Sequence, residues 1–92
     1  MQVTVVYAAQ VKRAAGVASE NVDVDATCSV QDLLTQVAAA RGNALKNILF
    51  DDDGVLHPSI LLFVRDSQIR WETPFELNDR DVVTVLSPIS GG

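Results

Sequence analysis

The chain runs to "SPISGG", so its last five residues are Pro88, Ile89, Ser90, Gly91 and Gly92. The α-carboxylate of Gly92 is expected to be free. An unperturbed terminal carboxyl has a pKa of ~3.5, so it is ionised at neutral pH and can act as an oxygen nucleophile. Two residues without side chains can thread a narrow channel and take extended or positive-φ shapes. A side chain at either position would obstruct that path. Pro88 lacks an N–H, so it can end sheet pairing and release the residues after it. Fraying ends need none of this, but composition alone does not separate the two cases.

The other chemistry-bearing residues stand alone. Cys28 is the single cysteine, so the chain can form no internal disulfide and no cysteine cluster for a metal. It reads as a structural thiol just ahead of a helix cap. His57 is the single histidine, which excludes a histidine metal pair and leaves a loop residue. "DDDG" matches part of a calcium loop, but with Gly54 sixth the first and twelfth positions are Leu49 and Ile60, so the ligands fail. That stretch reads as a solvated acidic loop. Trp71 reads as a partly buried anchor. No acid–base pair or nucleophile constellation is visible, so an enzyme acting alone is not expected.

The formal net charge is -5. Lys12, Lys46 and the arginines give no cluster, so nothing replaces counterions on nucleic acid or an anionic membrane. An acidic carrier docking on basic partner surfaces fits this charge, and so does plain solubility. No apolar run approaches the ~20 residues that cross a bilayer. The N-terminus lacks signal-peptide character, so a cytoplasmic location is expected.

The elements that would position the tail can be read from periodicity. Ninety-two residues make one domain. "QVTVVYA" is β-branched, with Val3, Val5 and Tyr7 on one face and Thr4 and Val6 on the other. "AQVKRAAGVA" reads as a hairpin loop, its alanines leaving a helix open. "SENVDVDA" gives a second strand with Val22 and Val24 on its dry side. "SVQDLLTQVAAARG" is the clearest helix. Ser29 can cap it with Asp32 three residues on, and Val30, Leu33, Leu34, Val37 and Ala38 form a stripe. Gly42 is placed to end it in a left-handed conformation. "NALKNILF" adds a short helical turn. "ILLFVR" is a buried strand, "DSQ" turns it into "IRW", "TPFELND" is a turn or single helical turn, and "DVVTVLS" is the last strand. One mixed α+β sheet of four to five strands with a main helix across it is the two-layer solution. The first and last strands would pair in its centre. If Val3, Val5, Leu62, Val64, Val83 and Val85 face the helix, then Val6, Phe63 and Leu86 face outward as a partner patch.

This order resembles the β-grasp fold of ubiquitin, and more narrowly the MoaD/ThiS family of sulfur carriers. The resemblance rests on "VTVVYAAQVKRAAG", "LLFVRDSQI" and above all "LNDRDVVTVLSPISGG", and it covers nearly the whole chain. Two turns depart from the family. Asp66-Ser67 stands where Asn-Gly is usual, and Arg80-Asp81 where Gly-Asp is usual; Asn78 and Asp79 can absorb the second turn. The resemblance implies a β-grasp domain over residues 1–87 and a flexible carrier tail over 88–92. It implies a ubiquitin-activating-type adenylating enzyme that uses ATP to adenylate Gly92, with Gly91 threading beside it. A sulfur donor then leaves a thiocarboxylate at Gly92, and a downstream synthase accepts the sulfur. The outward face would meet both partners. The chain itself would bind no cofactor, metal, nucleic acid or membrane, and could be the non-catalytic small subunit of a synthase. The chain length and middle loop favour molybdopterin or cysteine synthesis over thiazole or tRNA thiolation. A ubiquitin-like modifier joined to lysines through Gly92, or a β-grasp binding module with an idle tail, would show the same sequence.

Overall fold

A computed structural model of the chain describes residues 1–87. The chain order is β1 (Gln2–Ala9), α1 (Gln10–Ala15), β2 (Ser19–Asp23), α2 (Val30–Arg41), α3 (Asn43–Leu49), β3 (Leu61–Val64), β4 (Ser67–Ile69) and β5 (Val82–Ser87). The sheet order is β2-β1-β5-β3-β4. β1 and β5 run parallel, and the other neighbours are antiparallel.

The alternation in the strands sets the core. Val3, Val5, Tyr7, Leu62, Val64, Val83 and Val85 are buried, and the residues between them are not. They meet the stripe of α2, Val30, Leu33, Leu34, Val37 and Ala38, in one hydrophobic cluster. Leu33 and Leu34 are fully buried, each stabilising the fold by about 1.5–3 kcal/mol. α2 begins as its sequence requires: the Ser29 hydroxyl accepts from the Asp32 N–H at 3.1 Å. The longer middle of the chain closes the core from the side, where Leu45 and Leu49 of α3 and then Leu56 and Ile60 are buried.

Several local expectations need correction. The β1–β2 connection is not simply a loop, because Gln10–Ala15 forms α1. Val11 and Ala15, four residues apart, are buried on one side of it, and Gly16 caps it in the left-handed conformation at φ 83°. Gly42 has a positive φ of 100°, but with ψ at -175° it lies outside the αL region, in one that is essentially reserved for glycine. It ends α2 and starts α3 at once, and this conformation redirects the chain between two helices. The turn after β3 is Arg65-Asp66 rather than Asp66-Ser67 or "DSQ", since Val64 pairs with Ser67. Both turn residues have positive φ, 51° and 66°, the type I′ pattern that Asn-Gly enters most readily. β4 accordingly spans Ser67–Ile69 instead of "IRW". Before β5, Arg80 itself takes the positive φ, 68°, in place of the usual glycine.

Candidate functional site at the end of the last strand and the outer sheet face

β5 is the middle strand, held by β1 on one side and β3 on the other. It ends at Ser87, which is buried and sits opposite Ala9, the last residue of β1. The described chain therefore ends at the centre of the sheet, at the edge where β1 gives way to α1. Pro88, Ile89, Ser90, Gly91 and Gly92, the expected arm and attachment residues, lie outside the described residues.

The expected patch residues share one sheet face, the one away from α2. Val6 and Phe63 both pair with Thr84, and Leu86 lies two residues beyond it on the same face. All three are half-buried. Two residues extend this surface that were not expected there: Leu61 sits opposite Leu86, and Val82 is an exposed large apolar residue at 46%. Their place follows from strand register. Leu61 keeps the parity of Phe63, and Val82 keeps that of Leu86.

Three polar clusters stiffen the frame. At the start of β5, the Asp81 carboxylate accepts from Arg65 and from the Asn78 N–H. Arg65, then the Asn78 amide, hold the Asp81 carboxyl below the usual carboxylate range against the opposing effect of burial. The Arg65 guanidinium also lies over the Phe75 ring, 5.1 Å from its centre. Between β1, β2 and α2, the Tyr7 hydroxyl donates to Glu20 at 2.5 Å while Arg41 donates to both Glu20 oxygens at 2.9 Å. Burial, and then Glu20, push the Tyr7 phenol far above its ordinary value. Near the start of α2, Gln31 donates to the carbonyls of Trp71 and Thr73.

The isolated residues take structural places. Cys28 is buried, and burial with Asp32 and Asp25 pushes its thiol up, away from the reactive thiolate. His57 donates its backbone N–H to Leu49 in the loop before β3. Asp51 Oδ1 accepts from the N–H groups of Asp53 and Val55, which makes "DDDG" a closed polar turn. Among the described residues, no group of three or more His, Cys, Asp or Glu could hold a metal ion. Trp71 is half-buried with its ring 5.5 Å from that of Phe50. No helix among the described residues is long and apolar enough to cross a membrane.

A mixed sheet with a parallel central pair, one main helix across one face and the last strand in the middle defines a ubiquitin-like β-grasp protein. The sequence model of the ThiS family matches residues 5–92, and the chain belongs to this family of ubiquitin-like sulfur carriers. Such carriers are small, generally non-catalytic proteins that partner with adenylating enzymes and downstream synthases. The chain is similar to SAMP1 from Haloferax volcanii, with 26% identity over 100% of both chains and a TM-score of 0.90. It is similar to a putative molybdopterin converting factor subunit 1 from Pyrococcus furiosus, with 28% identity over 97% of this chain and 99% of that one, and a TM-score of 0.74. It shares its fold with Mycobacterium tuberculosis CysO, with 20% identity, coverage of 95% and 99%, and a TM-score of 0.72. No curated protein sequence matches the chain.

Proposed function

We propose that this protein carries sulfur as a thiocarboxylate at Gly92. The supporting observation is that the family match runs through residue 92 while β5 brings the chain to residue 87 at the sheet centre. In the first step a Gly92 carboxylate oxygen attacks the α-phosphorus of ATP, and pyrophosphate leaves. In the second, a sulfide-level donor attacks the acyl carbon, AMP leaves, and the C–S bond replaces C–O. A ubiquitin-activating-type enzyme supplies the nucleotide site, so this chain holds neither ATP nor the sulfur donor. Val6, Phe63 and Leu86 form the docking patch, with Pro88, Ile89 and Ser90 as the arm and Gly91 as the threading residue. The setting is the cytoplasm. Molybdopterin synthesis is the favoured acceptor pathway, supported by the 28% identity to the putative converting factor; cysteine synthesis is next.

The test is the intact mass of the protein with its activating enzyme, ATP and a sulfur donor. The expected result is exchange of one oxygen for sulfur at the C-terminus. If a competent enzyme forms neither adenylate nor thiocarboxylate, the reading is wrong.

One observation favours a second use of the same carboxylate. Among its structural relatives is the small archaeal modifier protein 1 of Methanosarcina acetivorans, at 27% identity and a TM-score of 0.80. Arg80 is the last tryptic cleavage site in the chain. Conjugation through Gly92 would therefore leave a branched remnant running from Asp81 to Gly92 on the lysines of other proteins after trypsin.

A further inference from the structure

The sheet end that delivers the tail carries charge of the opposite sign to the protein as a whole. Ala9, the pairing partner of Ser87, lines a shallow open cavity together with Gln10, Lys12, Arg13, Gly16 and Val17. α1 packs against both β1 and β5 and begins directly after Ala9, so Lys12 and Arg13 lie within about one helical turn of the residue paired with Ser87. Val11 and Ala15 turn into the core, which leaves Lys12 and Arg13 exposed on the other side of α1. Three of the chain's other cations are engaged. Arg41 pairs with Glu20 and Arg65 with Asp81 at 2.9 Å, and Arg80 lies 4.0 Å from Asp79. Among the described residues, Lys12 and Arg13 have no carboxylate within ion-pair distance. Two adjacent cations without an ion pair among the described residues, in a chain of net charge -5, form a local positive field near the end of β5.

We propose that Lys12 and Arg13 dock against an acidic surface on the protein that receives the tail, beside the mouth of its channel. This rests on the carrier reading and names the chemistry of its partner. It also reverses the simplest inference from net charge, which assigns a basic surface to that partner. Two cations are too few to hold a nucleic acid against screening at physiological salt, where each phosphate contact adds only a modest share. Against a protein they act chiefly on encounter rate and register.

The test is ATP–pyrophosphate exchange by the adenylating enzyme, with the full-length carrier varied from about 50 to about 500 mM NaCl, ~10 Å screening being reached near 0.1 M. The variants are Lys12→Glu/Arg13→Glu, a milder Lys12→Gln/Arg13→Gln, and a control reversal Lys46→Glu/Arg70→Glu. The expected result is a KM for the carrier raised about tenfold at low salt by the Glu pair and less by the Gln pair. The kcat should be unchanged, and the difference should shrink as salt rises. Circular dichroism melting checks that the exposed substitutions leave the fold intact. If wild-type carrier is adenylated and the Glu pair shifts KM no more than the control, the docking inference falls and the carrier reading stands. If the Glu pair lowers KM, the cations restrain the chain's own carboxylate instead, and the inference also falls. If tRNA binding is lost in the Glu pair while exchange is unaffected, the partner is a nucleic acid and the inference is wrong. Absence of exchange with wild type removes both readings together.

Discussion

The Arg65 guanidinium clamps the Asp81 carboxylate, Nε to Oδ1 at 3.0 Å and Nη2 to Oδ2 at 2.9 Å. Sixteen residues apart in sequence, they join the β3–β4 turn to the entry of β5. Asp81 also accepts from the Asn78 N–H at 2.6 Å and is itself buried. Removing the carboxylate leaves one amide and one guanidinium without their acceptor. Asp81→Ala should therefore cost about 1–3 kcal/mol by urea unfolding. Arg65→Ala should cost less, because the guanidinium is half exposed and solvent takes up part of its role. Equal losses would place the effect in something other than the buried acceptor.

The same pair sets an acid limit. The folded Asp81 carboxyl is held below its unfolded value, so the unfolded chain binds the proton more tightly. Its contribution is complete above the unfolded pKa of ~3.9 and is lost as pH falls through the lower folded value. The urea midpoint should drop below about pH 4, and Asp81→Asn should flatten that drop. An unchanged acid slope in Asp81→Asn would assign the limit to other carboxylates.

At the alkaline end the single tyrosine is a direct reporter. Burial and the bond to Glu20 raise the folded Tyr7 pKa above its unfolded value near 10. The associated stability is present below about pH 10 and is lost as pH rises through the folded value. Ultraviolet titration of tyrosinate should show no ordinary midpoint near 10 while the protein stays folded. Tyr7→Phe should cost ~1 kcal/mol at neutral pH, since it deletes one partly buried hydrogen bond and leaves Glu20 its arginine. A normal phenol midpoint in the folded protein would contradict the Tyr7–Glu20 bond.

The contrast between legible and hidden features has a physical basis. Val3, Val5 and Tyr7 alternate with period two, and the α2 stripe repeats at helical spacing, so both faces could be read from order alone. The position of β5 beside β1 followed from its apolar strength. The Arg65-Asp66 turn was not legible, because an arginine followed by an aspartate enters two successive positive-φ positions less readily than Asn-Gly, and the Val64–Ser67 pairing imposes them. α1 was obscured for a related reason. Its six residues fall below the length at which propensity decides, and its buried Val11 and Ala15, left-handed Gly16 and packing on α3 stabilise it instead. The clamps Arg65–Asp81 and Arg41–Glu20 join distant positions, and only the fold brings the Lys12–Arg13 pair near the end of β5.

The type I′ turn offers a stabilising change. An L-residue in the left-handed region costs roughly 1–2 kcal/mol, and glycine escapes most of that. Asp66 has φ 66° and is exposed, so Asp66→Gly should raise stability by up to about 1 kcal/mol. Arg65 shares the conformation but makes the clamp, so Arg65→Gly should destabilise. Denaturation midpoints for the two single variants check the opposite signs.

The outer face and the tail must be separable from the fold if they work by contact. Phe63 lies on the face away from α2 and Leu62, its neighbour, lies in the core. Leu62→Ala should cost about 2–5 kcal/mol, while Phe63→Ser should cost far less and yet raise the KM for adenylation about tenfold or more. The tail makes the complementary case. Gly91→Val adds a branched side chain one residue from the proposed reacting carboxylate. Its melting temperature should match wild type. Its adenylation rate should fall about a hundredfold, because a misplacement of about 1 Å at a reacting centre costs that much. A valine that leaves the rate intact would mean that no narrow channel receives residue 91. A valine that lowers melting temperature would mean that the tail belongs to the folded core. Only loss of rate with retained stability fits a tail that serves as the substrate of another protein's active site.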